Sequence, residues 1–167
     1  MIATGIACHG FVPPGRAALL LASARGVKAV VVRVSAGPPP RLRAQRVLDT
    51  PLDETTIAGL AVGLAAQGMK PVAEAQFDGF VYPMLDQIAC HAARLRNRTS
   101  GRLHCPMVLR MPWGGGIRAP EHHSEANEAI FTNIPGLRVV MPSSPQRAYG
   151  LLLAAIREPV PVVFCYP

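Results

Sequence analysis

Short apolar runs alternate with helix-spaced apolar patterns along most of the chain. Runs with the length and composition of buried strands are KAVVVRV, KPVAEA, PMVLRM, LRVVM and PVVFCY, at 28–34, 70–75, 106–111, 137–141 and 161–166. Helical patterns follow Glu54, extend from about residue 80 to 97, follow His123 and begin again at Pro145. This alternation predicts an α/β fold in which a mostly parallel sheet carries helices on both faces.

Two of the predicted helices have recognisable starts. In DTPLDE, at 49–54, Asp53 or Glu54 lies where an acid caps a helix, and Gly68 supplies a plausible C-terminal stop. Ser143 or Ser144 can cap the last helix, with Pro145 at its first position. The apolar residues expected to face the core are Ile57, Leu60, Ala61 and Leu64 in the first helix, Tyr82, Leu85, Ile88, Ala89 and Ala92 in the second, and Leu151, Leu152, Ala155 and Ile156 in the last.

Glu54 is the best catalytic candidate from position alone. A carboxylate in the first turn complements the partial positive charge of the helix end and can be held rigidly while it faces a cleft. The alternative is that Asp53 or Glu54 only caps the helix, because acids are common in first turns.

The composition fits one globular domain with a strongly basic balance. The chain has 167 residues, 50% of them hydrophobic and only 5% aromatic, and a formal net charge of +7. Its densest basic stretch contains Arg94, Arg96, Arg98 and Arg102. No aromatic residues are interleaved there to stack bases, and cations suit a helix end, so an acidic protein partner is favoured over nucleic acid.

The cysteines and apolar runs indicate a reducing compartment. The four cysteines are scattered without a CxxC pair, which favours neither a disulfide framework nor a zinc ribbon. The run AALLLASA at 17–24 imitates a signal segment, but prolines precede it and no basic residue opens the chain. No run reaches the length of a membrane span. We therefore expect a cytoplasmic protein without a membrane partner.

Four long segments carry a family resemblance. They are DTPLDETTIAGLAVGLAAQGMKPVAEAQFDGFVYPMLDQI, MVLRMPWGGGI, APEHHSE and IPGLRVVMPSSPQRAYGLLLAAI, at 49–88, 107–117, 119–125 and 134–156. Together they closely resemble the β subunit of the thiamine diphosphate-dependent decarboxylase component of 2-oxo acid dehydrogenases, over about residues 45–167. The resemblance implies a transketolase-like pyrimidine-binding domain at 46–167, a divergent or truncated segment at 1–45, and absence of the family's C-terminal domain.

The resemblance also implies a site and its partners. Glu54 would exchange a proton with the cofactor's aminopyrimidine, His123 would act as a second acid–base group, and Leu52, Gln76 and Phe80 would surround the pyrimidine. The diphosphate and its Mg²⁺ would be held by an α subunit through a GDG motif that this chain lacks. The other implied partners are a second β subunit and a lipoyl acyltransferase, in a heterotetramer.

Neither a metal nor a phosphate site is predicted on the chain itself. Glu121, His122 and His123 are adjacent, and neighbouring side chains diverge too far to share a zinc ion. The glycines at 114–116 form neither a Walker A loop nor a GxGxxG turn.

Three functional interpretations follow from these residues. The first is oxidative decarboxylation of branched-chain 2-oxo acids with acyl transfer to a lipoyl carrier, since AQFDGFVYP and GGGIRAPEHHSE look more like the branched-chain type. The second is a pyruvate dehydrogenase β subunit. The third is a non-catalytic remnant that keeps the fold and at most a protein-binding surface.

Overall fold

One parallel sheet organises the residues that this computed structural model describes, 18–22 and 47–167. Its strands are β1 (Ala18–Ala22), β2 (Val47–Asp49), β3 (Lys70–Glu74), β4 (Val108–Pro112), β5 (Arg138–Val140) and β6 (Val162–Tyr166). They lie in the order β2-β1-β3-β4-β6-β5, and every neighbouring pair is parallel. The predicted α/β class is therefore confirmed.

The strand β1 was not predicted from the sequence. It pairs with β2 on one side, where Leu20 is in register with Val47, and with β3 on the other, where Leu20 is in register with Val72. Its five residues form the apolar part of the run that imitates a signal segment. Only the pairing on both sides distinguishes a strand of the sheet from a signal segment here. The strand predicted at 28–34 lies outside the described residues.

Helices connect the strands and begin where the capping residues predict. They are α1 (Glu54–Ala66), α2 (Leu95–Arg98), α3 (Glu128–Thr132) and α4 (Pro145–Arg157). Asp53 caps α1 by accepting from the Thr56 amide (3.2 Å), and Ser144 caps α4 by accepting from the Arg147 amide (3.3 Å). Gly68 follows α1 with a φ of +84°, a conformation that glycine adopts without strain.

The helix predicted at 80–97 is irregular. Two 3₁₀ turns, Asp78–Phe80 and Tyr82–Met84, precede a π-helical stretch, Gln87–Ala92, and α2. Pro83 lies within the second 3₁₀ turn, near the start of the helical segment, where a missing amide donor is tolerated.

The core has two layers, one on each face of the sheet. On one face, α1, the helical segment 82–98 and α3 cover alternate residues of the strands, such as Leu109 and Val163. On the other face, α4 packs against residues of opposite parity, such as Val108 and Phe164. Helices on both faces are therefore confirmed. No helix among the described residues is long and apolar enough to cross a membrane.

Three residues predicted to face the core are instead exposed. Leu60 is 39% exposed, Tyr82 47% and Leu151 39%. The buried side of α1 is rotated from the predicted stripe, because small residues allow close packing there: it consists of Ile57, Ala58, Ala61 and Ala65. Tyr82 is drawn outward by hydrogen bonds, described below.

Candidate active site at the carboxyl edge of the sheet

The carboxyl ends of three strands lead to all the predicted site residues. Leu52 and Glu54 follow β2, Gln76 and Phe80 follow β3, and His123 lies in the loop after β4. Because parallel strands point the same way, these segments meet at one edge of the sheet, which is where α/β folds place ligands.

Aromatic rings form the centre of this edge. The His123 ring lies 5.2 Å from the Phe80 ring and 4.7 Å from the Phe77 ring, centroid to centroid, both edge-on. The His122 ring stacks on Phe80 at 6.2 Å. The structure thus brings together Phe80 and His123, which are distant in the sequence.

A hydrogen bond defines the chemistry of His123. Its Nδ1 lies 2.9 Å from the backbone oxygen of Glu121. Since a carbonyl oxygen can only accept, Nδ1 carries the proton and donates it. In the neutral ring Nε2 is then left with a lone pair, so it can accept a proton from a bound molecule.

Polar contacts join the segment after β3 to the loop between β4 and α3, residues 113–127, which carries His122 and His123 and which we call the histidine loop. The Asp78 carboxylate accepts from the backbone amide of Asn127 (2.5 Å). The Tyr82 hydroxyl donates to Oε2 of Glu125 (2.8 Å), and the Asn127 side-chain amide donates to the same oxygen (3.2 Å). At Gly79 the loop backbone comes so close that a Cβ there would lie 2.3 Å from the oxygen of His122.

These contacts shift the pKa values of the residues that make them. Burial raises the pKa of the Asp78 carboxyl, and the amide of Asn127 partly offsets this effect. The hydrogen bond from Tyr82 lowers the pKa of Glu125, while the same bond raises the pKa of Tyr82. At neutral pH Glu125 is therefore a stable acceptor for both donors.

Glu54 and Leu52 lie on the neighbouring segment. The hydroxyl of Thr55 donates to the backbone oxygen of Pro83 (3.0 Å), which ties the start of α1 to the turn after Phe80. Within the described residues, the Glu54 carboxylate has no hydrogen-bond or ion-pair partner. Leu52 is 65% exposed. Gln76 is half-buried and directly precedes Phe77.

Sequence reasoning did not identify Asp78, Asn127, Glu125 or the polar role of Tyr82. The available signal was local: Asp78-Gly79 follows a buried strand, where such a pair predicts a turn. The partners of Asp78 lie 49 residues away, so spacing could not reveal them.

The site fits part of a planar heterocyclic cofactor. An unpaired carboxylate can accept a hydrogen bond from a ring N–H, an exposed leucine can cover a ring face, and an aromatic ring can contact its edge. Among the described residues, no three His, Cys, Asp or Glu side chains are grouped to hold a metal ion.

Comparison with known proteins defines the class. The sequence profile described as "Transketolase, pyrimidine binding domain" matches residues 19–167, and the chain belongs to this family.

Individual relatives narrow the likeness further. The chain is 56% identical over 142 residues to the pyruvate dehydrogenase E1 component subunit beta of Acholeplasma laidlawii, covering 85% of this chain and 43% of the relative. It is 47% identical over 139 residues to the 2-oxoisovalerate dehydrogenase subunit beta of Bacillus subtilis, covering 83% and 42%. These relatives confirm the resemblance predicted from the motifs, and the chain spans less than half of their length.

A solved structure shares the fold. A split-gene transketolase, described as an inactive beta4 tetramer, superposes with a TM-score of 0.68 at 15% identity, over 89% of this chain and 44% of that one.

Proposed function

We propose that the chain is the pyrimidine-binding half of a thiamine diphosphate-dependent 2-oxo acid dehydrogenase, acting on branched-chain 2-oxo acids. The observation that carries this proposal is the Glu54 carboxylate, which has no partner among the described residues. It lies at the start of α1, whose first turn is hydrogen-bonded to the turn after Phe80, in a chain of the pyrimidine-binding family. Pyruvate is the second candidate substrate, because identity to the Acholeplasma pyruvate dehydrogenase subunit, 56%, exceeds the 47% found for the Bacillus 2-oxoisovalerate subunit.

When bound, thiamine diphosphate would supply a nucleophilic thiazolium carbon and an electron sink for decarboxylation. Glu54 would hold or return a proton at the pyrimidine N1′. Leu52 would cover the pyrimidine face, Phe80 would contact it, and the Gln76 amide would hydrogen-bond to its polar edge.

His123 would act on the substrate side. Because Nδ1 is fixed on the Glu121 oxygen, Nε2 is the atom that can orient the 2-oxo acid or transfer a proton during passage of the acyl group to lipoyl. The Phe77 and Phe80 rings restrict the orientation of the imidazole.

The rest of the site would come from other chains. We propose an α subunit that holds the diphosphate and Mg²⁺, a second β subunit in a heterotetramer, and a lipoyl acyltransferase that receives the acyl group. Exposed apolar side chains near this edge, Leu52 at 65% and Ile117 at 55%, support a covering surface. Free thiols at Cys90, Cys105 and Cys165 support a cytoplasmic location.

Glu54→Gln tests the proposed proton exchange. The chain, mixed with a matching α subunit, thiamine diphosphate and Mg²⁺, is first checked for co-elution by size exclusion, and turnover is then measured with a branched-chain 2-oxo acid and with pyruvate. We expect turnover to fall by about 10²- to 10⁴-fold, because an amide cannot exchange a proton with the ring.

Asp53→Asn is the matched control for that experiment. It neutralises the adjacent acid but preserves the cap of α1, since Asn caps as well as Asp, so turnover should persist. Full activity of Glu54→Gln would refute the assigned role. Co-elution of the parent assembly without turnover of either substrate would instead favour the non-catalytic remnant.

His123→Ala tests the second acid–base group. We expect acyl transfer to a lipoyl acceptor to fall by about 10²-fold, because a positioned proton donor is lost. The exposed His104 supplies the control, and His104→Ala should transfer at the parent rate. Equal rates in His123→Ala and the parent would remove His123 from the mechanism.

A further inference from the structure

An exposed basic surface lies away from the proposed active site. It consists of Arg94, Arg96, Arg98 and Arg102, all exposed, and we call it the arginine surface. From residue 87 to residue 120 the sequence contains no Asp or Glu, so no acid within this segment balances these charges. None of the four forms an ion pair with any residue in the described ranges. Their charge is therefore available to another molecule.

Hydrogen bonds hold three of these arginines in place. Arg94 Nε donates to the backbone oxygen of Ala89 (3.1 Å), and Arg98 Nη2 to that of Cys90 (2.8 Å), both within the helical segment 82–98. In the turn after α2, Arg102 Nε donates to the backbone oxygen of Thr99 (3.2 Å). A guanidinium has five N–H donors, so most donors of each group remain available to carboxylates. Partly fixed side chains also lose less conformational entropy when they bind a ligand.

A cavity of about 500 Å³ adjoins the arginine surface. Arg96, Asn97 and Ser100 provide polar groups, and Pro159 and Val160 provide apolar ones. The cavity lies between the end of α2 and the loops that enter β5 and β6, at the amino edge of the sheet. The proposed active site lies at the opposite, carboxyl edge.

We propose that the arginine surface and this cavity bind an acidic peptide segment of a partner protein. Carboxylates of the segment pair with the guanidinium groups, and one apolar side chain enters the cavity. Charge complementarity identifies the occupant as acidic. Peptide is favoured over nucleic acid because residues 83–112 contain no Phe, Tyr or Trp on which bases could stack. The proposal does not depend on the proposed catalytic function, since the two sites occupy opposite edges.

The test measures binding of a fluorescein-labelled peptide of Glu and Leu to the full chain by fluorescence anisotropy. Arg96→Glu/Arg98→Glu should weaken binding about tenfold or more, because attractive contacts become repulsive. Arg118→Glu/Arg147→Glu makes the same change of net charge at exposed positions elsewhere and should retain most of the affinity. Arg96→Gln/Arg98→Gln gives a milder loss, and far-ultraviolet circular dichroism checks that each variant is folded.

Other outcomes would overturn the proposal. Equal losses in the two charge-reversed variants would show attraction by net charge alone. Absence of peptide binding by the parent would remove the site. If binding of a labelled RNA oligonucleotide depends on Arg96 and Arg98, and binding of the peptide does not, the surface is a nucleic-acid surface instead. A peptide in which Ala replaces Leu should bind several-fold more weakly, and unchanged affinity would remove the cavity from the proposal.

Discussion

Gly79→Ala probes the close backbone contact on which the geometry of the histidine loop depends. An ideal Cβ at residue 79 would lie 2.3 Å from the oxygen, 2.6 Å from the Cα and 2.7 Å from the carbonyl carbon of His122. All three are backbone atoms, so no side-chain rotation can relieve the overlap. An ordinary carbon–oxygen contact is about 3.4 Å, and the loop would have to move by about 1 Å.

The expected cost follows from overpacking. Inserting a methyl group into a tight contact destabilises a protein by about 1–3 kcal/mol. Gly63→Ala is the control, because its Cβ meets nothing within 4 Å and the residue lies within α1. Alanine is favoured there over glycine by about 0.5–1 kcal/mol. The two variants should therefore differ in unfolding free energy by about 1.5–4 kcal/mol.

Equilibrium unfolding in urea measures this difference. In the reconstituted assembly, Gly79→Ala should also reduce turnover, because a displacement of about 1 Å at a reacting group can lower the rate about 100-fold. If Gly79→Ala and Gly63→Ala unfold at the same urea concentration, the backbone contact is not rigid, and the reasoning fails.

Two further predictions concern buried titratable groups. Burial raises the pKa of Asp78 above its ordinary 3.8, so the associated stability is fully present below pH 3.8 and is lost as the pH rises through the raised pKa. Asp78→Asn should remove this pH-dependent loss of stability, whereas Asp78→Ala should cost about 1–3 kcal/mol because the Asn127 amide is left unsatisfied. The free energy of unfolding in urea, measured against pH, checks the first expectation, and parallel curves for the parent and Asp78→Asn would contradict it. Burial also raises the pKa of Cys105 and of Cys165 to about 12, so iodoacetamide at neutral pH should modify the exposed Cys90 first, and equal labelling of all three in the folded chain, read by mass spectrometry, would be the contrary result.

The regular elements could be predicted because local signals agreed with the tertiary fold. Strands β3, β4 and β6 are short apolar runs with buried residues on both faces, and α1 and α4 carry capping residues at their first turns. The strand β1 is also a short apolar run, but that run imitates a signal segment, so its local signal was ambiguous. Its role in the sheet comes from pairing with β2 and β3, and pairing over long sequence distances leaves no periodic trace.

The site was predicted unevenly for the same reason. Spacing made Glu54 a candidate, because a first-turn acid has a local signature, but the same signature fits a helix cap, and the catalytic role of Glu54 came from the family resemblance. Leu52, Gln76, Phe80 and His123 came from family resemblance, since nothing in their spacing distinguishes them from core or loop residues. The hydrogen bonds and ring contacts that join these segments form where two loops come close in the fold, and residue spacing within one segment cannot predict such contacts.

The two edges of the sheet expose different kinds of side chain that a partner could cover. At the carboxyl edge, Glu54 has no partner among the described residues and Leu52 is mostly exposed. Burying a leucine side chain stabilises a complex by about 1.5–3 kcal/mol. A second protein surface that covers Leu52, together with a bound polar ring that pairs with Glu54, would therefore complement both residues at once. At the amino edge, Arg94, Arg96, Arg98 and Arg102 form no ion pair with any described residue, so carboxylates are their natural complement. The carboxyl edge therefore suits a shared, buried cofactor, whereas the arginine surface suits a reversible, salt-sensitive contact.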